Sequence, residues 1–144
     1  MKRIPLIKSV MTAFPYYVDI DASIQVAITI MADHDIRHLP VKSGEELVGV
    51  VTDRDIKQAS DSALGLPSEV DLRVKDVSVR ETYVVDLNER LDNVLLNMAE
   101  KHIGCAIVVR DSRLVGIFTT VDACRVFGEH LRALFSTGSG NSAA

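Results

Sequence analysis

Gly49-Val50-Val51-Thr52-Asp53-Arg54-Asp55 recurs as Gly116-Ile117-Phe118-Thr119-Thr120-Val121-Asp122. Each stretch reads glycine, two apolar residues, threonine, two variable residues and aspartate. Applied along the chain, the offset, 116 − 49 = 67, superimposes Leu47-Val48 on Leu114-Val115, Val18-Asp19-Ile20 on Val85-Asp86-Leu87 and Met31-Ala32 on Met98-Ala99. It also aligns Lys8 with Lys75, Val10 with Val77, Tyr16 with Tyr83 and Ile36 with Ile103, with no gap between about residues 7 and 61. A chance Gly/Thr/Asp match at the equivalent place is on the order of 10⁻⁴ at ordinary residue frequencies. The chain is therefore two copies of one supersecondary unit.

Periodicity gives that unit its shape. Ile24, Ala27, Ile28 and Met31 fall at i, i+3, i+4 and i+7, as do Leu91, Val94, Leu95 and Met98, which predicts an amphipathic helix in each copy. Asp21 and Asn88 stand ahead of these helices as N-cap candidates. Short strands are expected near Tyr16–Ile20, His38–Lys42 and Leu47–Thr52, and near Tyr83–Leu87, Cys105–Arg110 and Leu114–Thr119. Turn residues at Ser43-Gly44-Glu45-Glu46 and Asp111-Ser112-Arg113 join the last two strands of each copy as a hairpin. A final helix follows each threonine. The result is an α+β chain of two β-α-β-β-α units, each too small to be robust alone, expected to pack sheet to sheet with approximate two-fold symmetry. The first unit covers about residues 7–61, the connection with Gly65 and Pro67 about 62–73, the second unit about 74–128, and its helix runs to 135. Residues 136–144, rich in Ser, Gly, Asn and Ala, are expected to be a disordered tail outside the single module at 1–135.

Composition narrows the function. The 144 residues are 47% hydrophobic and 25% charged with net charge −4, which fits a globular protein and leaves no concentrated basic face for nucleic acid. No apolar run approaches the roughly 18 residues of a membrane span, and Pro5, Lys8 and Asp19 interrupt any secretory signal. Cys105 and Cys124 lack metal-ligand spacing and a disulfide framework; they read as buried thiols in a reducing cytoplasm, with no metal site expected. No nucleophile–base set, paired catalytic acids or phosphate loop stands out, so no catalytic residues and no enzyme activity are expected.

The repeated stretch has two physical readings. Thr-x-x-Asp is a helix N-terminus pattern, in which the hydroxyl caps an orphan N–H and the acid meets the positive end of the dipole. Capping accounts for both copies without a ligand. The other reading uses the same geometry: glycine lets a ligand or a neighbouring backbone approach, helix N–H groups attract phosphate, and a carboxylate accepts hydrogen bonds from ribose hydroxyls.

The tandem pair and both Gly-x-x-Thr-x-x-Asp stretches resemble the CBS domain pair, or Bateman module. His38-Leu39-Pro40-Val41 ahead of Leu47–Asp55 is similar to the most typical stretch of that family, and Val10-Met11-Thr12 to the lead-in of its first motif. The resemblance covers about residues 7 to 130. It implies a cleft that binds AMP, ADP, ATP or a related adenosyl compound, with no cofactor required. Ribose binding carries over to Thr52 with Asp55 and to Thr119 with Asp122. The base pocket maps near Thr12, Ala13, Tyr17 and Pro40, and in the second copy near Val79, Arg80, Val84 and Ile107. It also implies a homodimer, two modules forming a disc of four motifs.

The two sites are not expected to be equal. Arg37, His38 and Arg54 align with Gly104, Cys105 and Val121, so cations suited to phosphate oxygens stand at the first junction only. Arg80, Lys101 or Arg110 can supply charge across the shared cleft. His34 and His102 read as solvated or capping imidazoles at helix ends, and Met11, Met31 and Met98 as packing. The run Val126–Phe135 either covers the module's edge or binds a second chain. The leading reading is a stand-alone cytoplasmic sensor of adenine nucleotide that signals to a protein target by a change in arrangement. The alternative is a dimerisation scaffold whose Thr/Asp pairs are only caps.

Overall fold

The computed structural model describes residues 3–62 and 72–142. Most of the connection between the copies, including Gly65 and Pro67, lies outside them. A 3-10 turn at Ile7–Ser9 leads into β1 (Thr12–Ala13), β2 (Val18–Asp19), α1 (Ile24–His34), β3 (His38–Ser43), β4 (Glu46–Thr52) and α2 (Asp53–Ser62). The second copy runs α3 (Val74–Val77), β5 (Val84–Asp86), α4 (Leu91–Lys101), β6 (Cys105–Arg110), β7 (Arg113–Thr119) and α5 (Thr120–Ser142). The fold is α+β, and the repeat is legible in its lengths: 11 residues in α1 and α4, 6 in β3 and β6, 7 in β4 and β7.

Each hairpin closes through two residues. Gly44 takes a left-handed φ of 61°, and Asp111 and Ser112 take 50° and 66°. Such turns match the twist of the strands they join. Both hairpins carry an irregularity at the equivalent place, Val41/Lys42 and Val108/Val109. Strands β2 and β5 run parallel to β3 and β6.

The strands are covered on both faces. Leu39, Val41 and Val51 pack with Ile24, Ala27 and Met31 of α1 and Ile56 of α2. In the second half Ala106, Val108 and Phe118 pack with Leu91, Val94 and Met98 of α4. The opposite faces meet each other: Val50 of β4 joins Cys105, Ile107 and Ile117 in one buried cluster, so the halves pack sheet to sheet. Helices therefore lie outside and the two sheets inside, as two apolar faces per sheet require.

One exchange decides how the sites are built. Ile7 is fully buried in the core of the second half, and its N–H donates to Glu89 O at 2.8 Å. Strand β1 pairs with β7, Thr12 opposite Ile117 and Ala13 opposite Gly116. Conversely, Val74 is fully buried in the core of the first half, and Val79 pairs with Val50 of β4. Each copy's leading segment completes the other copy's sheet. The motif glycines make this possible. A Cβ on Gly49 would sit 2.5 Å from the Val79 carbonyl oxygen, and one on Gly116 would collide with the Met11 sulfur. Of the two uses open to these glycines, close approach of a neighbouring chain segment is the one observed.

Three local expectations change. Ser23, not Asp21, caps α1, its hydroxyl accepting from Gln25 N–H at 3.0 Å, and α4 begins after Arg90 without Asn88. The turn after each short strand is instead closed by the strand's own aspartate: Asp19 Oδ2 accepts from Asp21 N–H at 2.8 Å and Asp86 Oδ2 from Asn88 N–H at 2.9 Å. Helix α5 runs from Thr120 to Ser142. Cys124 is exposed, whereas Cys105 is buried.

Candidate functional site

The strand-to-helix junctions of the two halves are built alike. Thr52 ends β4 opposite His38, and Thr119 ends β7 opposite Cys105. The first helical N–H is satisfied by the preceding loop: Asp53 N–H donates to Arg37 O at 2.9 Å and Thr120 N–H to Gly104 O at 3.1 Å. Threonine and aspartate then cap one another. Asp55 N–H donates to Thr52 Oγ1 at 3.0 Å, and Thr52 N–H to Asp55 Oδ2 at 3.2 Å. In the second half the same bonds measure 3.4 and 2.9 Å, with Thr119 Oγ1 also donating to Asp122 Oδ2 at 3.3 Å. These are reciprocal capping boxes, so the capping role of both pairs is real.

The second carboxylate oxygen separates the two sites. Asp122 Oδ1 lies 3.6 Å from Arg125 Nη2, one turn further along α5. Asp55 Oδ1 has no hydrogen bond or ion pair among the described residues. Arg125 was not among the candidates read from sequence; its i+3 spacing from Asp122 on a helix is the signal that could have found it. Exposed Arg54 and Arg37 flank the first junction. Val121, the counterpart of Arg54, is 76% exposed and uncharged.

The junctions meet through His38. A Cβ on Gly104 would lie 3.1 Å from His38 Nε2, so the imidazole of the first half rests on the glycine of the second. Burial there lowers the His38 pKa below its usual 6.5, and the Asp55 carboxylate opposes that shift more weakly. The ring is thus held towards its neutral form. Cys105, its counterpart, lies beneath the sheet contact, and burial pushes its thiol up to about 11.

The exchange of leading segments redistributes the expected base pockets. Thr12 and Ala13, grouped by sequence with Tyr17 and Pro40, instead extend the sheet of the second half, where Val84, Ile107, Ile117 and Thr12 form one row across β5, β6, β7 and β1. Val79, grouped with Val84 and Ile107, instead joins the row of Pro40 and Val50 in the first half, and Arg80 follows it. Tyr17 stays in the first half, with the Lys42 ammonium 4.4 Å from its ring centre. Pro40 and Ile107 are buried and can offer only a floor. Nearby, Tyr16 stacks on His34 at 3.7 Å, so His34 has an aromatic partner as well as solvent, while His102 is the left-handed residue that ends α4.

A cavity of about 410 Å³ lies elsewhere, between α4 and α5. It touches the second junction at Gly104 and Thr120, and its lining includes neither Thr119 nor Asp122. The first half fills the equivalent space: Ile56, 4% exposed, stands where the second half has Ala123. Among the described residues no three His, Cys, Asp or Glu side chains gather in a metal-holding group, and no helix is long and apolar enough to cross a membrane.

The CBS domain family model matches residues 7–62 and again 74–129. The chain is 30% identical over 127 residues to L-aspartate semialdehyde sulfurtransferase of Methanocaldococcus jannaschii, covering 87% of this chain and 24% of that protein. It is 30% identical over 122 residues to inosine-5'-monophosphate dehydrogenase of Thermoplasma acidophilum, covering 85% of this chain and 24% of the enzyme. The chain thus spans about a quarter of the length of these curated relatives. Among solved structures it resembles the CBS domain pair of protein MJ0100 in complex with 5'-methylthioadenosine and S-adenosyl-L-methionine, with TM-score 0.77 and 29% identity over 89% of this chain and 99% of that one.

Proposed function

The chain belongs to the CBS domain family as a tandem pair, and from that premise we propose that it is a regulatory module binding an adenosyl ligand at the junction around Asp55. One observation carries the reading: Asp55 keeps one carboxylate oxygen for its helix cap and leaves Oδ1 unengaged among the described residues, beside exposed Arg54 and the neutral His38 ring. That oxygen suits a ribose diol, and the arginines with the N-terminus of α2 suit phosphate, which favours AMP or ATP at this site. The adenosyl ligands of the MJ0100 pair support the class of compound. At the second junction Arg125 already engages Asp122, so that site is the weaker one or takes a less charged adenosyl compound.

Binding across the His38–Gly104 contact changes the relative stability of two arrangements of the halves, or of two subunits, by the ligand's differential affinity for them. A protein target reads that change. Reaction chemistry forms no part of this proposal.

The two capping boxes favour a second reading, a structural scaffold in which Thr and Asp only end helices. Calorimetric titration of AMP, ATP and S-adenosyl-L-methionine into the native chain, Asp55→Asn and Asp122→Asn distinguishes them. We expect AMP or ATP affinity to fall at least about tenfold in Asp55→Asn, the loss of one or more charged hydrogen bonds, and far less in Asp122→Asn. Equal losses would overturn the asymmetry. No binding of any of the three to the native chain would leave the scaffold.

A further inference from the structure

His38 belongs to the first half, yet its ring is seated on the second. A Cβ on Gly104 would lie 3.1 Å from His38 Nε2 and 3.8 Å from its Cε1, so an alanine there would have to push the ring aside. The backbone of Gly104 does not call for glycine: among the described residues the left-handed glycine is Gly44. Its missing side chain is what admits the imidazole. The internal repeat acts as a control. Arg37 stands where the second half has Gly104, and Cys105 stands where the first half has His38. The other junction therefore has neither the room nor the titrating ring.

The ring is half-buried but not sealed. Neither of its nitrogens has a hydrogen bond among the described residues, yet neither is closed off, because no sealed and unpartnered side-chain nitrogen or oxygen occurs there. The charged groups around it are accounted for. From α2 come Asp55, exposed Arg54, and Asp53, which Lys57 holds at 3.0 Å. Exposed Asp35 and Arg37 precede the ring on its own chain. From the second half, exposed Lys101 and His102 stand ahead of Gly104, and Arg125 engages Asp122. Burial holds the Cys105 thiol neutral up to about 11. Burial also outweighs Asp55 at His38, so the resting ring is neutral near pH 7. An anion arriving at the N-terminus of α2 would reverse that balance, since a negative charge within about 4–6 Å favours imidazolium.

We propose that His38 makes binding at the first junction proton-linked: the ring takes up a proton from solvent as a phosphate-bearing adenosyl ligand docks. Acidification then strengthens the hold on phosphorylated ligands and does nothing for phosphate-free ones. This rests on the reading of Asp55 as the acceptor of the ligand's ribose. No covalent bond changes; the proton stays on the imidazole until the ligand leaves. The free ring titrates below 6.5 and the occupied ring above it. Between those two values each unit of falling pH raises affinity by up to about tenfold. Below about pH 6 the ligand's own phosphate gains a proton, and affinity weakens again. The Asp122 junction, with Cys105 in place of the imidazole, lacks this dependence.

Calorimetric titration of AMP into the full chain near pH 7, in two buffers of different ionisation enthalpy, counts the protons taken up. We expect on the order of half a proton per AMP. His38→Gln should bind AMP more weakly and abolish the uptake. A nitrogen-15 titration of the native imidazoles gives a second measure, with the His38 signal identified by its absence from His38→Gln. Its midpoint should lie below 6.5 in the free chain and in the presence of adenosine, and above 6.5 with AMP. AMP that binds without proton uptake, or with the same uptake in His38→Gln, overturns the proton linkage and leaves the ligand reading standing. So does a His38 midpoint that AMP leaves unmoved, or that adenosine raises equally. Failure of AMP to bind the native chain overturns both.

Discussion

Ile7→Ala tests the exchange of leading segments, on which the placement of Thr12, Ala13, Val79 and Arg80 rests. Ile7 is fully buried, yet its neighbours Val85, Val94 and Phe118 all belong to the other copy. The substitution removes three carbons, at about 0.8 kcal/mol each for transfer alone, or roughly 2.4 kcal/mol. The cavity left in a packed core raises the expected loss into the range of about 2–5 kcal/mol. Ile4, 43% exposed, supplies the control, and Ile4→Ala should cost under about 1 kcal/mol. Urea denaturation followed by circular dichroism measures both. Native-state hydrogen exchange then locates the effect. In Ile7→Ala the amides of β6 and β7 should lose protection first, whereas Val74→Ala should loosen β3 and β4, where Val74 is buried. A loss no larger than that of Ile4→Ala, or weakened protection in α1, β3 and β4 on removing Ile7, would refute the exchange.

Gly49→Ala pushes a methyl against the Val79 carbonyl, a backbone group that cannot rotate away, and should cost about 2 kcal/mol or more in thermal or urea unfolding. His38 makes stability depend on pH. Its folded pKa lies below 6.5, so between that lower value and 6.5 the unfolded chain binds more protons. The contribution is whole above about pH 6.5 and is lost as pH falls below it. His38→Gln should flatten the urea midpoint against pH in that window, and an unchanged slope would remove His38 as the cause. Cys105, with its thiol raised to about 11, should resist iodoacetamide near pH 8 until the chain unfolds. Under the same conditions exposed Cys124 should label in the folded chain. Rapid labelling of Cys105 in the folded chain would show that the sheet-to-sheet contact opens.

Much of the architecture is local in origin and so was readable from residue order. Helix periodicity at Ile24–Met31 and Leu91–Met98, the hairpin turns and the paired Thr-x-x-Asp caps each depend on residues a few positions apart. The N-cap of α1 is local too, but several residues compete for it: Asp19 closes a turn on Asp21 N–H, and Ser23 takes the cap in place of Asp21. Arg125, three residues past Asp122, was within reach of the same local reading, and its role depends on which oxygen of Asp122 the cap leaves over.

Sequence alone determined that there are two equivalent units and that each ends a strand and begins a helix around a Thr-x-x-Asp stretch, with Arg37 and Arg54 beside the first of them. Tertiary structure decided that Ile7, Thr12 and Ala13 serve the second half while Val74 and Val79 serve the first. No pattern within a repeat can settle that question: a leading segment meets nearly the same partners in either copy, so both placements satisfy the same periodicity. Packing of the two sheets, with Gly49 and Gly116 leaving room for the crossing segments, removes the degeneracy.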